Sequence, residues 1–214
     1  MKVGVMGSGN VGQVLAAGFA SKGHTVKLGT REPASPKLRE WQEKAGPRAS
    51  AGTFAEAAEF ADLAVLATLW DGTENALQLA GADRLAGKVL IDATNPLHFA
   101  PNAPPTLAVG HTESAGELVQ RWLPKSRVVK AFNTIGNAHM IDPKFPGGPP
   151  DMFLCGNDAG AKKDVSDICR AFGLNPIDLG GLEIARYLEP LAMIWILYGF
   201  KTNTWDHAFK LLYK

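Results

Sequence analysis

Three glycines near the start of the chain, Gly7, Gly9 and Gly12, have the spacing G-x-G-x-x-G. An apolar stretch at 2–6 precedes them and predicts a strand, and a helical pattern follows at 13–22. In such a turn the first glycine permits a tight bend, the second lets the backbone approach a pyrophosphate, and the third permits close helix packing. The helix N-terminus adds free N–H groups and a positive dipole end. The motif and its flanking elements therefore predict a dinucleotide-binding site.

The end of the second predicted strand, 25–29, indicates which dinucleotide binds. An NAD site usually carries Asp or Glu about 20 residues beyond the glycines, where it accepts hydrogen bonds from the ribose. This chain has Thr30 and Arg31 there. A guanidinium binds a 2′-phosphate through paired hydrogen bonds, whereas a carboxylate repels it, so NADP(H) is predicted over NAD(H). The alternative is that Glu32, the next residue, serves as a displaced ribose acceptor.

Short β-rich runs alternate with helical stretches along the chain, which predicts a sheet with helices on both faces. We expect an α/β fold with a doubly wound, mostly parallel sheet, of the Rossmann NAD(P)-binding type, in a single domain with a C-terminal helical extension. Residues 1–136 would form the dinucleotide-binding core, and 137–214 a strand-helix-strand-helix extension. Strands are predicted at 2–6, 25–29, 48–51, 63–69, 88–92, 128–133, 152–156 and 175–179. Helices are predicted at 13–22, 35–45, 74–80, 159–172 and from 182 onward. A capping box at Thr53-x-x-Glu56 opens a further helix, and Ser114-x-x-Glu117 caps another that ends near residue 124.

Charge and composition agree with a soluble enzyme and give no sign of a nucleic-acid or membrane protein. The net charge of +1 gives no electrostatic reason to expect nucleic acid or an acidic membrane. No apolar run reaches the ~18 residues of a spanning segment and no basic-then-apolar leader is present, so a cytoplasmic location is expected. The two cysteines, Cys155 and Cys169, lack metal-ligand spacing and are predicted to be buried free thiols. His139 and His207 likewise have no ligand spacing, so no metal site is expected.

The segments that leave the central strands are mostly apolar, with amide and hydroxyl groups and few titratable ones. They run over 67–70, 92–97 and 130–136. A dehydrogenase of alcohols needs a proton donor or acceptor, and the best candidate is His98, on a proline-rich loop at 98–111. Hydride transfer between a nicotinamide and a flavin-type ring needs none, since both reactive carbons belong to cofactors. We therefore predict no catalytic side chain. The loop at 98–111 is either a lid or a plain surface loop.

Other residues have simpler predicted roles. Asp92 is expected to hold the loop that follows its strand. Arg186 and Glu189 are expected to pair across one helical turn as surface support. Trp195 and Trp205 are expected in the core or in a dimer contact rather than as a stacking platform for a ring.

Five segments together resemble one known family: residues 7–12, 29–31, 95–97, 128–135 and 185–191. They are similar to the coenzyme F420-dependent NADP oxidoreductases, whose relatives include the cytosolic NADPH-binding domains of the STEAP ferric reductases. The likeness covers nearly the whole chain, and its most specific part is the late Arg-x-Leu-Glu segment at 186–189. The resemblance implies that Ser8, Gly9, Asn10 and Val11 hold the pyrophosphate, Thr30 and Arg31 the 2′-phosphate, Thr68, Leu69, Trp70, Asn95 and Pro96 the ribose and nicotinamide, and Asn133, Thr134 and Ile135 the partner ring. The archaeal members carry His where this chain has Asn133, which leaves an ordinary flavin, FMN or FAD, as an alternative partner to coenzyme F420.

The predicted function is thus an NADP-dependent oxidoreductase that transfers hydride between NADPH and a flavin or deazaflavin, a small-molecule redox partner. The first alternative is an NADPH-dependent reductase of a small carbonyl or imine, with His98 as proton donor. The second is a non-catalytic NADPH-binding redox sensor. A homodimer is expected from the apolar terminal helix and from the resemblance.

Overall fold

The computed structural model describes residues 1–101 and 103–214. The strands are β1 (Lys2–Met6), β2 (Thr25–Thr30), β3 (Ala49–Thr53), β4 (Leu63–Leu66), β5 (Val89–Asp92), β6 (Leu97–His98), β7 (Thr106–Leu107), β8 (Arg127–Lys130), β9 (Asp151–Gly156) and β10 (Asn175–Asp178). The helices are α1 (Asn10–Ser21), α2 (Pro36–Ala45), α3 (Phe54–Phe60), α4 (Thr73–Ala80), α5 (Ala82–Leu85), α6 (Ala115–Trp122), α7 (Ala159–Ala171) and α8 (Ala185–Thr202). Short 3₁₀ turns lie at Trp70–Gly72, Asn137–His139 and Leu182–Ile184.

Eight strands form one sheet in the order β10-β9-β8-β5-β4-β1-β2-β3. The six strands from β8 to β3 are mutually parallel and follow the order of a doubly wound dinucleotide-binding fold. β9 pairs antiparallel with β8, and β10 runs parallel to β9. The predicted single-domain Rossmann fold is confirmed. Its topological switch point, where ligands bind in such sheets, lies between β1 and β4.

Apolar side chains cover both faces of the sheet. One core cluster includes Leu15 and Phe19 of α1 and Val165 of α7, packed on one face. The other includes Leu77 of α4 and Leu188 of α8, on the opposite face. Because both faces are buried, the central strands are apolar throughout rather than alternating, as expected of parallel strands in α/β proteins.

Both predicted capping motifs are present. The Thr53 hydroxyl accepts the Glu56 N–H, and the Glu56 carboxylate accepts the Thr53 N–H, which completes the box that opens α3. The Ser114 hydroxyl accepts the Glu117 N–H at 3.2 Å and opens α6. These contacts join residues only three positions apart, which is why the sequence alone could locate them.

Several elements differ from prediction at their ends. β4 and β8 stop at Leu66 and Lys130, three residues before the predicted ends, because the chain leaves the sheet there to form the tips described below. Helix α8 ends at Thr202, and Asn203 has a left-handed φ of 52°, so the chain beyond it is not helical. The proline-rich segment after β5 contains a small antiparallel pair, β6 with β7. Within the described residues, no helix is long and apolar enough to cross a membrane.

Candidate active site

The glycine turn after β1 has the geometry that its spacing predicts. Gly7 adopts a φ of +126°, and a Cβ there would lie 2.2 Å from the Ala67 carbonyl oxygen. A Cβ at Gly12 would lie 1.9 Å from the Gly7 carbonyl oxygen, so the turn closes only with glycine at both positions. At Gly9 the situation is opposite, since a Cβ at this position would have no atom within 4 Å. The backbone at Gly9 is therefore open to a ligand.

Helix α1 presents its N-terminus at this open position. Gly9 is the N-cap, no side chain caps the helix, and no acidic residue stands in its first turn. The Gln13 side chain donates to the Ser8 carbonyl at 2.8 Å, and the Ser8 hydroxyl lies 3.1 Å from the Thr30 hydroxyl. The turn is thus tied to the end of β2, and its first N–H groups remain available to an anion.

At the end of β2, Thr30 is buried and Arg31 is exposed. The Thr30 hydroxyl accepts the Glu32 N–H at 3.4 Å, which turns the chain at this point. Among the described residues no carboxylate forms an ion pair with Arg31. The guanidinium is therefore able to take a phosphate group beside the glycine turn.

The tip after β4 is held by its own hydroxyl groups. The Thr68 and Thr73 hydroxyls lie 2.8 Å apart, and the Thr73 hydroxyl donates to the Leu69 carbonyl at 3.0 Å. The Leu69 side chain is exposed, whereas the Trp70 ring stacks on Trp122 with centroids 5.7 Å apart. Leu69 is thus free to contact a ligand, and Trp70 mainly fixes the tip against α6.

Two amide side chains join the tips of β5 and β8. Asn95 Nδ2 donates to the Asn133 carbonyl at 2.8 Å, so Asn95 Oδ1 is an acceptor and takes Asn133 Nδ2 at 3.1 Å. Asn133 Nδ2 also donates to the Leu188 carbonyl at 3.1 Å. Because backbone carbonyls cannot donate, these contacts fix which end of each amide is nitrogen.

Of the four buried side-chain atoms that lack a hydrogen-bond partner among the described residues, two lie at the β8 tip: Asn133 Oδ1 and Thr134 Oγ1. A buried polar group without a partner costs roughly 1–3 kcal/mol, so such atoms call for a ligand or water. The preceding residue, Phe132, is buried with a φ of 64°, a conformation that non-glycine residues rarely adopt. Strained backbone of this kind concentrates at functional sites, and here it turns the chain out of β8 just before Asn133.

A cleft of about 290 Å³ opens beside these tips. It brings together four of the predicted site residues, Val11 of α1, Asn95, Asn133 and Ile135. None of the described residues that line it is an Asp, Glu, His, Lys, Arg or Cys. The full lining is Val11, Ala93, Asn95, Phe132, Asn133, Ile135, Gly136, Asn137, Ala138, Met140, Trp195, Ile196 and Trp205.

The far wall of the cleft is aromatic, and its two tryptophans were not among the predicted site residues. Trp195 of α8 and Trp205 line the cleft, with ring centroids 5.3 Å apart. The Trp195 indole donates to the His207 carbonyl at 2.8 Å and stacks on the His207 ring at 4.6 Å. Trp205 is 41% exposed and lies on Gly199, where a Cβ would come within 2.4 Å of its ring. The sequence signal that could have indicated Trp205 is its position, a large aromatic residue in the polar stretch that follows an apolar helix.

Other chemistry-bearing groups lie elsewhere. His98 is exposed on β6 and does not line the cleft. Cys155 and Cys169 are free and buried as predicted, and burial raises the pKa of each thiol to about 12, so neither is a nucleophile at neutral pH. Within the part of the chain that the structure describes, no cluster of three His, Cys, Asp or Glu side chains is suited to a metal ion.

The chain is similar over its whole length to proteins of one family. The profile of the family described as "NADP oxidoreductase coenzyme F420-dependent" matches residues 2–96. The F420-dependent NADP reductase of Methanocaldococcus jannaschii is 31% identical over 206 residues, which cover 92% of this chain and 91% of that protein. The Metalloreductase STEAP3 of Rattus norvegicus is 31% identical over 194 residues, covering 90% of this chain but only 36% of the rat protein.

Among solved structures, a proposed F420-dependent NADP-reductase from Arthrobacter sp. FB24 superposes with a TM-score of 0.94. It is 39% identical, and the match covers 100% of both chains. The chain therefore belongs to the family of coenzyme F420-dependent NADP oxidoreductases and is, by that membership, an NADP-dependent oxidoreductase.

Proposed function

We propose that this protein transfers a hydride between NADP(H) and a planar deazaflavin or flavin ring that binds in the cleft between the β5 and β8 tips and the aromatic wall. The observation that carries the proposal is the lining of the cleft, which offers amide and aromatic groups and no titratable side chain among its described residues. When both groups are bound, the nicotinamide and the ring supply the reactive carbons. The chain has only to position them and exclude water.

The glycine turn, Thr30 and Arg31 would bind the adenosine half of NADP(H). The open backbone at Gly9 fits the pyrophosphate, and the uncapped start of α1 gives it N–H donors. Arg31, without a carboxylate partner, would take the 2′-phosphate, with the Thr30 hydroxyl beside it. From there the nicotinamide would pass Val11 and reach Asn95 and Asn133, because these three residues line one cleft.

The aromatic wall would bind the second ring. Trp205 is partly exposed, lines the cleft and packs against Trp195 and against Phe200, whose ring lies 5.4 Å away edge-on. An indole fixed in this way favours stacking with a flat heterocycle. Asn133 Oδ1, which has no partner, would accept an N–H of the bound nicotinamide carboxamide or of the ring. The names of the M. jannaschii and Arthrobacter relatives support coenzyme F420 as the acceptor.

The test is stopped-flow mixing of the protein and NADPH with a panel of acceptors: coenzyme F420, FMN, FAD, a ferric chelate and a cyclic imine. We expect rapid NADPH oxidation with F420 or a flavin, and an unchanged rate in His98→Gln. Turnover of the imine alone, lost in His98→Gln, would instead establish a reductase of a small substrate. Tight NADPH binding without turnover of any acceptor would establish a sensor.

A pair of variants tests the aromatic wall. Trp205→Ala should raise KM for the ring acceptor by roughly 5- to 150-fold, because base or ring stacking on an aromatic side chain contributes about 1–3 kcal/mol. Trp205→Phe should retain most of that affinity. The Kd for NADPH, measured without acceptor, should be the same in both variants and the wild type. An unchanged acceptor KM in a folded Trp205→Ala protein would place the ring elsewhere.

A further inference from the structure

The late segment at 186–189, which carries the most specific part of the family resemblance, does not behave as predicted. Arg186 and Glu189 do not pair with each other. Arg186 Nε donates to Glu117 of α6 at 2.9 Å, and Glu189 is buried, with 1% of its surface exposed. The expectation of a surface pair was wrong because each side chain binds a partner on another element, and spacing within one helix carries no signal for such contacts.

Glu189 binds the start of helix α6. Its carboxylate accepts the N–H of Ala115 at 2.9 Å and that of Gly116 at 3.0 Å, while Ser114 takes the next N–H. The positive end of a helix dipole favours an anion at this position. A Cβ at Gly116 would lie 3.1 Å from the Ala185 Cβ, so the glycine permits α6 and α8 to approach closely.

The same carboxylate binds Lys130 at the end of β8. Lys130 Nζ lies 3.0 Å from Glu189, 2.7 Å from Asp92 and 2.9 Å from the Thr94 carbonyl oxygen. Asp92 in turn accepts the N–H and hydroxyl of Thr94, as its predicted loop-holding role requires. Burial opposes the charge of Lys130, but attraction to the two carboxylates outweighs it and raises the pKa of the amine. One buried ionic network therefore joins β5, β8, α6 and α8.

A buried ionic network adds little net stability compared with well-packed apolar side chains. Its effect here is geometric, because the residue before Glu189 is Leu188, whose carbonyl accepts Asn133 Nδ2 at 3.1 Å. That contact and the Asn95 contact hold the nitrogen end of the Asn133 amide, and they leave Oδ1 without a partner beside the cleft.

We propose that Glu189 is a positioning residue: by anchoring α8 to Lys130 and to the start of α6, it holds the Leu188 carbonyl in place and so fixes the orientation of the Asn133 amide at the cleft. The orientation of the amide is a property of the free protein. Its consequence for hydride transfer rests on the proposed function.

The test compares Glu189→Gln with Glu183→Gln, a matched change at an exposed residue just before α8. Hydrogen exchange of the Asn133 side-chain amide is followed by NMR, and its signal is identified by its loss in Asn133→Ala. In the wild type we expect slow exchange, since both N–H groups are bonded and buried. Glu189→Gln should accelerate it at least about tenfold, the effect of weakening the opening free energy by about 1.4 kcal/mol, and Glu183→Gln should not.

The side-chain amide of Asn175, far from Glu189, is a control that distinguishes a specific effect on Asn133 from destabilisation of the whole protein. Asn175 Nδ2 donates to Asp151 at 2.7 Å at the far edge of the sheet. Equal acceleration at Asn175 and Asn133 would overturn the proposal, as would unchanged exchange at Asn133 in Glu189→Gln. Fast exchange at Asn133 in the wild type would overturn it without any variant, even if Glu189→Gln fails to fold.

A second readout uses turnover. With NADPH and the ring acceptor, Glu189→Gln should lower kcat roughly tenfold and leave the NADPH Kd within about twofold, since small misplacements reduce the rate more than binding. In an Asn133→Ala background the same change should have little further effect on kcat. An additive effect would show that Glu189 acts through another group. Failure of turnover with every ring acceptor would remove the proposed function, while the exchange result would still decide the role of Glu189.

Discussion

Gly9→Ala should affect NADPH binding without harming the fold of the glycine turn. Gly9 has a φ of −72° and a ψ of −179°, an extended backbone that alanine adopts without strain. A Cβ placed there meets no atom within 4 Å. In the free protein the substitution should therefore be neutral or stabilising by about 0.4–1 kcal/mol, because alanine restricts the unfolded chain more than glycine does.

The same methyl group would stand where the pyrophosphate is proposed to bind. Forcing an extra methyl group into a packed contact costs about 1–3 kcal/mol, so the Kd for NADPH should rise roughly 5- to 150-fold. Both quantities are measurable on one preparation, the midpoint of thermal unfolding by circular dichroism and the Kd by titration calorimetry.

Two further glycine variants serve as controls. Gly147→Ala also meets no atom within 4 Å but lies in the loop before β9, so it should have the same small effect on unfolding and leave the Kd for NADPH unchanged. Gly12→Ala would put a methyl group 1.9 Å from the Gly7 carbonyl oxygen, so it should lower the unfolding midpoint itself. Wild-type NADPH affinity in a folded Gly9→Ala protein would refute the placement of the pyrophosphate over this turn.

Three more predictions concern the cofactor, the thiols and pH. Arg31→Ala should weaken NADPH binding by about 1.5–3 kcal/mol, the range for hydrogen bonds to charged groups, and leave NADH binding unchanged; equal losses for both nucleotides would contradict the 2′-phosphate assignment. Cys155 and Cys169, whose pKa burial raises to about 12, should not react with a disulfide reagent at pH 8 until the protein is unfolded by denaturant. The hydrogen bonds from Arg186 and Ser114 lower the pKa of Glu117 despite its partial burial, so its contribution to stability is complete above about pH 5 and is lost as the pH falls through the lowered pKa. The difference in unfolding free energy between wild type and Arg186→Gln should accordingly shrink in acid, and a constant difference from pH 7 to pH 3 would show that this ion pair is unimportant.

The geometry of the glycine turn could be predicted from the sequence because it is local. The turn at 7–12 depends on glycines within six positions and on the strand and helix that flank it. Thr30 and Arg31 follow from the next strand in the same unit. A short pattern of this kind predicts its own geometry, because only glycine permits the φ of +126° at Gly7 and the close approach at Gly12.

The contacts at the cleft could not be predicted in the same way, because they join distant parts of the chain. The turn at Phe132 contains no glycine or proline to signal its φ of 64°. The Asn95 and Asn133 amides meet across 38 positions, and Asn133 reaches Leu188 across 55. Trp205 lies at the cleft only because the chain reverses after α8. Local patterns of residue types do not predict such contacts between residues far apart in the sequence.

Hydrogen bonds hold the chain after α8 against the body of the domain, and they fix the position of Trp205 relative to the sheet. Asp206 lies 3.0 Å from His139 Nε2, just beyond the β8 tip. Further on, the Phe209 carbonyl accepts the N–H of Asp151 at 3.0 Å, and the Asp151 carboxylate accepts the N–H of Leu211 at 2.6 Å. Trp205 therefore stands on a segment bonded to the same sheet that carries the glycine turn. Hydride transfer requires the reacting carbons to lie about 3–3.5 Å apart, and a cleft with both walls fixed to one sheet can hold that separation without closure of a second domain.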